Sequence, residues 1–187
     1  MNEPAISELL APLFRYPDGD YRERAEECLN AVRGESVEAE AALAEFSAST
    51  EGLSTEELQE LYTRTFDLNP MCTLEVGWQL YGEEYQRGEF LVKMRQQLRD
   101  YEIQECGELP DHMTHALALL AKLEPDEAAE FAGGYVLPAL DKMRGGWREN
   151  RNAFADLLES AFIFLKSQYP YEPAPTAFRG PELHVLL

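Results

Sequence analysis

One pattern recurs along this chain and decides its class: apolar residues spaced three and four positions apart. Ile6, Leu9, Leu10, Leu13 and Phe14 fall at i, i+3, i+4, i+7 and i+8, which lays a single stripe on one face of an α-helix. Leu58, Leu61, Tyr62, Thr65 and Phe66 repeat the spacing, and Phe154, Leu157, Leu158, Ala161, Phe162 and Leu165 form a third stripe. Shorter stripes lie between them, on Tyr21–Val32, Phe90–Tyr101 and Met113–Ala121. No alternating run of strand length and no internal repeat interrupts them. The expectation is an all-α fold, a single-domain helical bundle of about eight to ten helices with short connections. At 187 residues the chain suits one domain, and such a globule buries roughly 70% of its extended-chain surface.

Turn and capping residues punctuate the stripes. Tyr16-Pro17-Asp18-Gly19 is a turn, and Asp20 is placed to cap the next helix, which Gly34 ends. An Ala- and Glu-rich helix is expected from about Ser36 to Phe46. Ser54 and Glu57 have capping-box spacing. Pro70 bends the chain at Asn69, and residues 73–82 read as a short helix. The junction from Gly82 to Gly88 comes next, mobile or closely packed. Gly107 is expected to end the Phe90 helix, and Gly133-Gly134 with Pro138 to kink or split a later one. Residues 1–168 form the helical domain. Residues 169–187, with Pro170, Pro173, Pro175 and Pro181, form a tail, extended and poorly ordered or wrapped on the surface.

Charge narrows the function. The net charge is -19, from 35 acidic and 16 basic residues. Phosphate binding needs a basic stripe, so nucleic acid is excluded as a partner, and anionic membranes are disfavoured. Cationic peptides are favoured. Cys28, Cys72 and Cys106 are odd in number and far apart, which suits a reducing compartment. The N-terminal stretch lacks a secretory leader's pattern, and no run of about 18 apolar residues exists to insert in a membrane. The expected location is the cytoplasm.

Catalytic signatures are absent. There is no phosphate loop, no dinucleotide fingerprint and no H-E-x-x-H. None of His112, His115 and His184 follows a Glu by three residues, so the di-iron bundle motif is missing. His112 and His115 share a helix face at i, i+3; beside a metal site stands the simpler reading that His112, with Asp111, buttresses a helix start. The expectation is therefore a binding protein, not an enzyme, with no cofactor of its own. What remains is a central stretch rich in aromatics and acids: Tyr62, Phe66, Trp78, Tyr81, Tyr85 and Phe90 around Gly82 and Gly88. It suits a groove for an amphipathic basic peptide, with Glu83 and Glu84 meeting its charges and Arg87 paired internally with a neighbouring acid.

At these residues the chain resembles the molybdoenzyme assembly chaperones, the group of nitrate reductase delta subunits (NarJ-like) and TorD-like proteins. The resemblance rests on Tyr62-x-x-Thr65-Phe66-Asp67, then Leu74, then Gly82-x-x-x-x-Arg87-Gly88, then Glu108-Leu109-Pro110-Asp111-His112. It implies an all-α cytoplasmic protein without catalysis. Its partner would be the N-terminal segment, often basic, of the catalytic subunit of a molybdopterin oxidoreductase, held ready for cofactor insertion. Carried over, the peptide-binding residues are Tyr62, Phe66, Asp67, Leu74, Gly82, Glu83, Arg87, Gly88, Pro110, Asp111 and His112, to which the groove adds Tyr81 and Glu84. Trp78 and Gln79 stand where the nitrate reductase subgroup tends to carry Glu-His, which leaves the client open among enzymes of the dimethyl sulfoxide reductase class. The alternative is a helical interaction scaffold for another partner.

Overall fold

A computed structural model describes residues 5–147 and 151–172. Its elements are helical throughout, as the stripes require. Helix α1 (Ile6–Leu10) tightens into a 3-10 turn at Ala11–Phe14, with Pro12 in that turn's first positions. The last carbonyls of this turn are taken by buried tyrosines: the Tyr21 hydroxyl donates to Leu13 and the Tyr62 hydroxyl to Phe14, the latter at 2.9 Å.

Helix α2 (Tyr21–Val32) starts at Asp20, but the Asp20 side chain makes no cap. Asp18 Oδ1 instead accepts from the Asp20 amide at 3.1 Å, the local turn bond that short acids favour. Helix α3 (Val37–Thr50) begins at its Ser36 cap and runs four residues past Phe46. There the Thr50 hydroxyl bonds back to the Phe46 carbonyl at 2.9 Å, so the polar end stays helical. Helix α4 (Thr55–Tyr62) carries the full capping box: Ser54 Oγ accepts from the Glu57 amide at 3.2 Å, and Glu57 Oε2 accepts from the Ser54 amide at 2.7 Å. It widens into a π-helical turn at Thr63–Asp67 before the Pro70 bend.

Helix α5 (Val76–Tyr81) stops at Gly82, whose φ of 60° and ψ of -128° suit glycine alone. The Glu84 amide donates to the Tyr81 carbonyl at 3.2 Å, which makes the junction a tight turn into α6 (Tyr85–Asp100). Helix α6 ends at Asp100, well before Gly107. Glu102 takes the left-handed conformation there, at φ 54°. Ile103 N–H reaches the Leu98 carbonyl at 2.7 Å and Glu102 N–H the Arg99 carbonyl at 3.1 Å, a Schellman ending without its usual glycine.

Helices α7 (Met113–Leu120), α8 (Pro125–Phe131), α9 (Leu137–Gly145) and α10 (Ala153–Gln168) complete the bundle. The expected kink at Gly133-Gly134 is a second π-helical turn, Ala132–Val136, just ahead of Pro138. Pro138 has no amide to give the ladder, and the widened turn absorbs the mismatch. Helix α10 packs along α3 and against α9, α7 packs on α1 and its 3-10 turn, and α5 lies against α6 and α9. Phe154 centres one aromatic cluster, its ring 5.2 Å from Phe66, 5.5 Å from Phe46 and 5.6 Å from Tyr62. The start of the tail lies on the body: the Tyr171 hydroxyl donates to Asp141 Oδ2 at 3.0 Å, and its ring meets Phe162 edge-on. Pro173, Pro175, Pro181 and His184 lie outside the described residues. Among the described residues no helix is long and apolar enough to cross a membrane.

Two glycines near the central junction make opposite demands. A Cβ on Gly77 would stand 2.6 Å from Asp111 Oδ2 and 2.9 Å from Phe90 Cδ1, whereas one on Gly88 meets nothing within 4 Å. Gly77→Ala is expected to destabilise by about 1–3 kcal/mol through overpacking. Gly88→Ala, inside α6, is expected to stabilise by up to about 1 kcal/mol. Urea unfolding of the two variants beside the parent chain measures both.

Candidate functional site

The loop before α5 and the loop before α7 are tied together by backbone. Glu75 and His112 pair as an isolated antiparallel bridge, with Val76 N–H donating to the Asp111 carbonyl at 2.8 Å and Met113 N–H to the Leu74 carbonyl at 2.7 Å. Side chains reinforce the seam. Asp111 is fully buried, and its Oδ2 accepts from the Gly77 amide at 3.0 Å. His112 is the N-cap of α7, and its Nδ1 accepts from the Thr114 amide at 3.3 Å. The imidazole proton therefore sits on Nε2, an assignment that rests on the hydrogen bond. His115 is committed as well, with Nδ1 2.8 Å from the Leu109 carbonyl and Nε2 accepting from the Cys106 amide at 3.1 Å. Both histidines thus staple the loop to the helix start. Among the described residues no group of three or more His, Cys, Asp or Glu is placed to hold a metal ion.

A cavity of about 250 Å³ opens where this seam meets the end of α4. Tyr62, Phe66, Asp67, Thr73, Leu74, Glu75, Glu108 and His112 line it. Tyr62, Phe66, Leu74 and His112 are buried and form its walls, and three carboxylates give its charge. Their field reaches Tyr62: burial drives the phenol pKa far up, and Glu108, Tyr21, Asp67 and Glu75 add to the shift. The π-helical turn sets this geometry, since Phe66 and Asp67 both fall in its widened stretch. Exposed apolar side chains adjoin the lining residues: Tyr16 meets the Tyr62 ring edge-on at 5.5 Å, and Leu68 and Leu109 come directly after Asp67 and Glu108 in the chain. The described lining thus offers a small negative well that admits a cation and, with uncharged His112, one neutral N–H donor.

Five of the thirteen residues expected from the sequence, Tyr62, Phe66, Asp67, Leu74 and His112, meet in this cavity. Pro110 and Asp111 lie buried beneath it. The other six sit on or around the α5–α6 turn. Glu83, Glu84 and Gly88 are exposed there, and Tyr81 is buried against Phe90 at 5.9 Å. Gly82 is the turn itself. The Arg87 guanidinium lies 5.1 Å over the Trp78 ring and its charge also acts on the buried Asp111 carboxyl, while its buried Nε has no hydrogen-bond partner among the described residues. Beside this turn a shallow groove of about 400 Å³ is lined by Tyr85, Gly88, Glu89, Val92 and Lys93, with Tyr85 81% exposed. Sequence reading missed Thr73 and Glu75, which no local pattern marks; Glu108 stood in the Glu108–His112 stretch without being singled out.

Asp111 and His112 titrate in opposite senses. Burial raises the Asp111 carboxyl from 3.8 to about 6, against the nearby Arg87 guanidinium and with help from Glu75. Burial lowers His112 from 6.5 to about 3, helped by His115 and Arg15. The Asp111 contribution to stability is therefore full below 3.8 and lost as pH rises through about 6. The His112 contribution is full above 6.5 and lost as pH falls through about 3. Asp111→Asn keeps an acceptor for Gly77 and removes only the first. The variant is expected to gain on the parent chain between about pH 4 and pH 6, by at most about 3 kcal/mol, and to change little outside that window. Urea unfolding at a series of pH values reads this, and a constant difference across the window would show that Asp111 does not titrate there.

The family model described as Nitrate reductase delta subunit matches residues 31–160. That span runs from the end of α2 into α10 and includes the cavity, the bridge and the α5–α6 turn. No curated protein matches the chain.

Proposed function

The chain belongs to the nitrate reductase delta subunit family, a family of molybdoenzyme assembly chaperones, and from that premise we propose that it binds the basic N-terminal segment of a molybdopterin oxidoreductase catalytic subunit. The observation that carries this reading is the cavity beside the Glu75–His112 bridge, where Asp67, Glu75 and Glu108 converge without a cation among the described lining residues. A Lys or Arg side chain, or a free amino terminus, fits such a well by charge and by size. The exposed Tyr16, Leu68 and Leu109 supply apolar contact for its neighbours. Glu83 and Glu84 on the α5–α6 turn offer further acidic groups, and the Tyr85–Val92 face of α6 a second apolar strip. A segment bound across these surfaces is held away from other partners while its own protein is completed. The chain works in the cytoplasm by binding and does no chemistry on its client.

Association with a net charge of -19 gains speed and range from electrostatic steering, so affinity for a basic peptide falls as salt rises. Asp67 and Glu108 are both exposed, which makes them safe to neutralise. Asp67→Asn with Glu108→Gln is expected to weaken a synthetic basic N-terminal client peptide by about tenfold and to flatten the salt dependence. Glu83→Lys with Glu84→Lys is expected to weaken it as well. Calorimetry with each variant reads both. Unchanged affinity in the first pair would remove the cavity from the binding surface, and unchanged affinity in the second would remove the turn.

A further inference from the structure

The acidic cavity holds more than acids. His112 lines it, and that residue is all but buried, at 3% exposure. Its Nδ1 is taken by the Thr114 amide, so the ring proton is on Nε2, and nothing among the described residues accepts it. Thr73 Oγ1, also in the lining, is buried and has no partner among the described residues. Buried polar groups are rarely left unpaired, and a mere patch of solvated acids would not require these two. The lining thus combines Asp67, Glu75 and Glu108, which accept, with a neutral N–H, which donates. Its best occupant carries a cation and, right beside it, an acceptor. A lysine ammonium has three donors and no acceptor, and an arginine guanidinium has five donors and none. Either would leave the His112 N–H unmet, which costs affinity. A free amino terminus is different: its ammonium has donors, and the carbonyl of the same residue follows directly on the Cα. At about 250 Å³ the cavity is smaller than drug-sized sites, so it takes one residue and not a folded element.

Resting on the reading that the chain binds an N-terminal segment, we propose that the cavity captures the segment's free α-amino group together with its first carbonyl. The ammonium lies among Asp67, Glu75 and Glu108, and the first carbonyl accepts from His112 Nε2. The side chains that follow meet the exposed apolar rim of Tyr16, Leu68 and Leu109. A basic stretch inside a chain, or behind a blocked terminus, feels the same negative field but lacks the group that fits. Selectivity comes from the paired ammonium and carbonyl, while the net charge of -19 adds range and speed.

The probe is the amidated peptide Met-Ser-Arg-Leu-Lys-Arg-Leu-Leu in three forms. One has a free amino terminus, one is N-acetylated, and one is N-acetylated with an added C-terminal Lys that restores the charge of the first. Calorimetry at pH about 6.5, where an α-amino group is protonated, compares them on the full chain. Acetylation is expected to weaken binding by at least about tenfold, and the added Lys to recover little of the loss. If the charge-matched acetylated form binds as tightly as the free one, the amino-terminus inference falls while the reading of a basic-segment binder stands. If no form binds, both fall. His112→Ser keeps a capping oxygen for α7 but loses the ring N–H. It is expected to weaken the free form by at least about fivefold and to shrink the ratio between free and acetylated forms. A purely structural His112 would weaken both forms alike and keep that ratio, which overturns the role given to its N–H. The comparison of the three forms needs no variant, so it decides the matter even where His112→Ser fails to fold.

Discussion

The antiparallel bridge between Glu75 and His112 holds the candidate site together. Two short loops, each without regular structure of its own, exchange the Val76–Asp111 and Met113–Leu74 hydrogen bonds. That pairing brings the start of α5 against the start of α7. It also forces the Asp111 side chain inward, where the Gly77 amide is its partner at 3.0 Å. Only a residue without a Cβ permits this approach, which explains a glycine one residue inside α5. The bridge, the buried acid and the glycine are thus one arrangement. Remove any member and the wall of the acidic cavity loses its register.

The cavity's electrostatics depend on which groups are buried and which are not. His112 is buried and uncharged, so it adds no cation to offset the three acids of the lining. Asp67 and Glu108 are exposed to water, where a carboxylate meets little desolvation cost. Asp111, which cannot reach water, is the group driven toward its neutral form. Exposed acids thus provide the attraction, while the buried acid serves the framework. The same split applies at the α5–α6 turn, where Glu83 and Glu84 point outward and Tyr81 packs inward.

Much of the fold was legible because the helices announce themselves. The stripes of α4, α6, α7 and α10, the Ser54–Glu57 capping box and the Gly82 turn all rest on local physics that a single sequence carries. The misses share a cause. Glu102 adopts the conformation that pattern rules reserve for glycine, so the sequence points to Gly107 as the end of α6 while the helix ends at Asp100. The extra turn of α3 carries Thr50 bonding back to Phe46, a bond formed where tertiary packing buries the polar side chain. Within the site, Tyr62, Phe66, Asp67 and Leu74 came from motif likeness, and the structure gathers them with His112. Glu75 is contributed by the bridge, a long-range pairing that no local spacing encodes, and Thr73 lies in the loop leading into it. Arg87 was legible only in part: its charge acts on a neighbouring acid, Asp111, but its packing over the face of Trp78, back across the turn on α5, has no local signal.

The π-helical turn at Thr63–Asp67 gives these observations a common geometry. A π turn inserts an extra residue per turn and rotates the residues after it around the helix axis, and such turns cluster at functional sites. Here it sends Thr65 and Phe66, adjacent in the chain, to different cavities, one lined by Arg64 and Arg151 and the other by Asp67 and Glu108. Thr65 is held from both sides, its hydroxyl donating to the Leu61 carbonyl at 2.6 Å and accepting from Asn152 at 2.8 Å. Phe66 is held by Tyr62 and Phe154 in the aromatic cluster. Any shift of the turn must therefore move both walls together. Regularising the turn would move Phe66 and Asp67 out of register with Glu75, and Thr65 out of reach of Asn152. The two cavities share no described lining residue, yet the walls of both depend on this one turn.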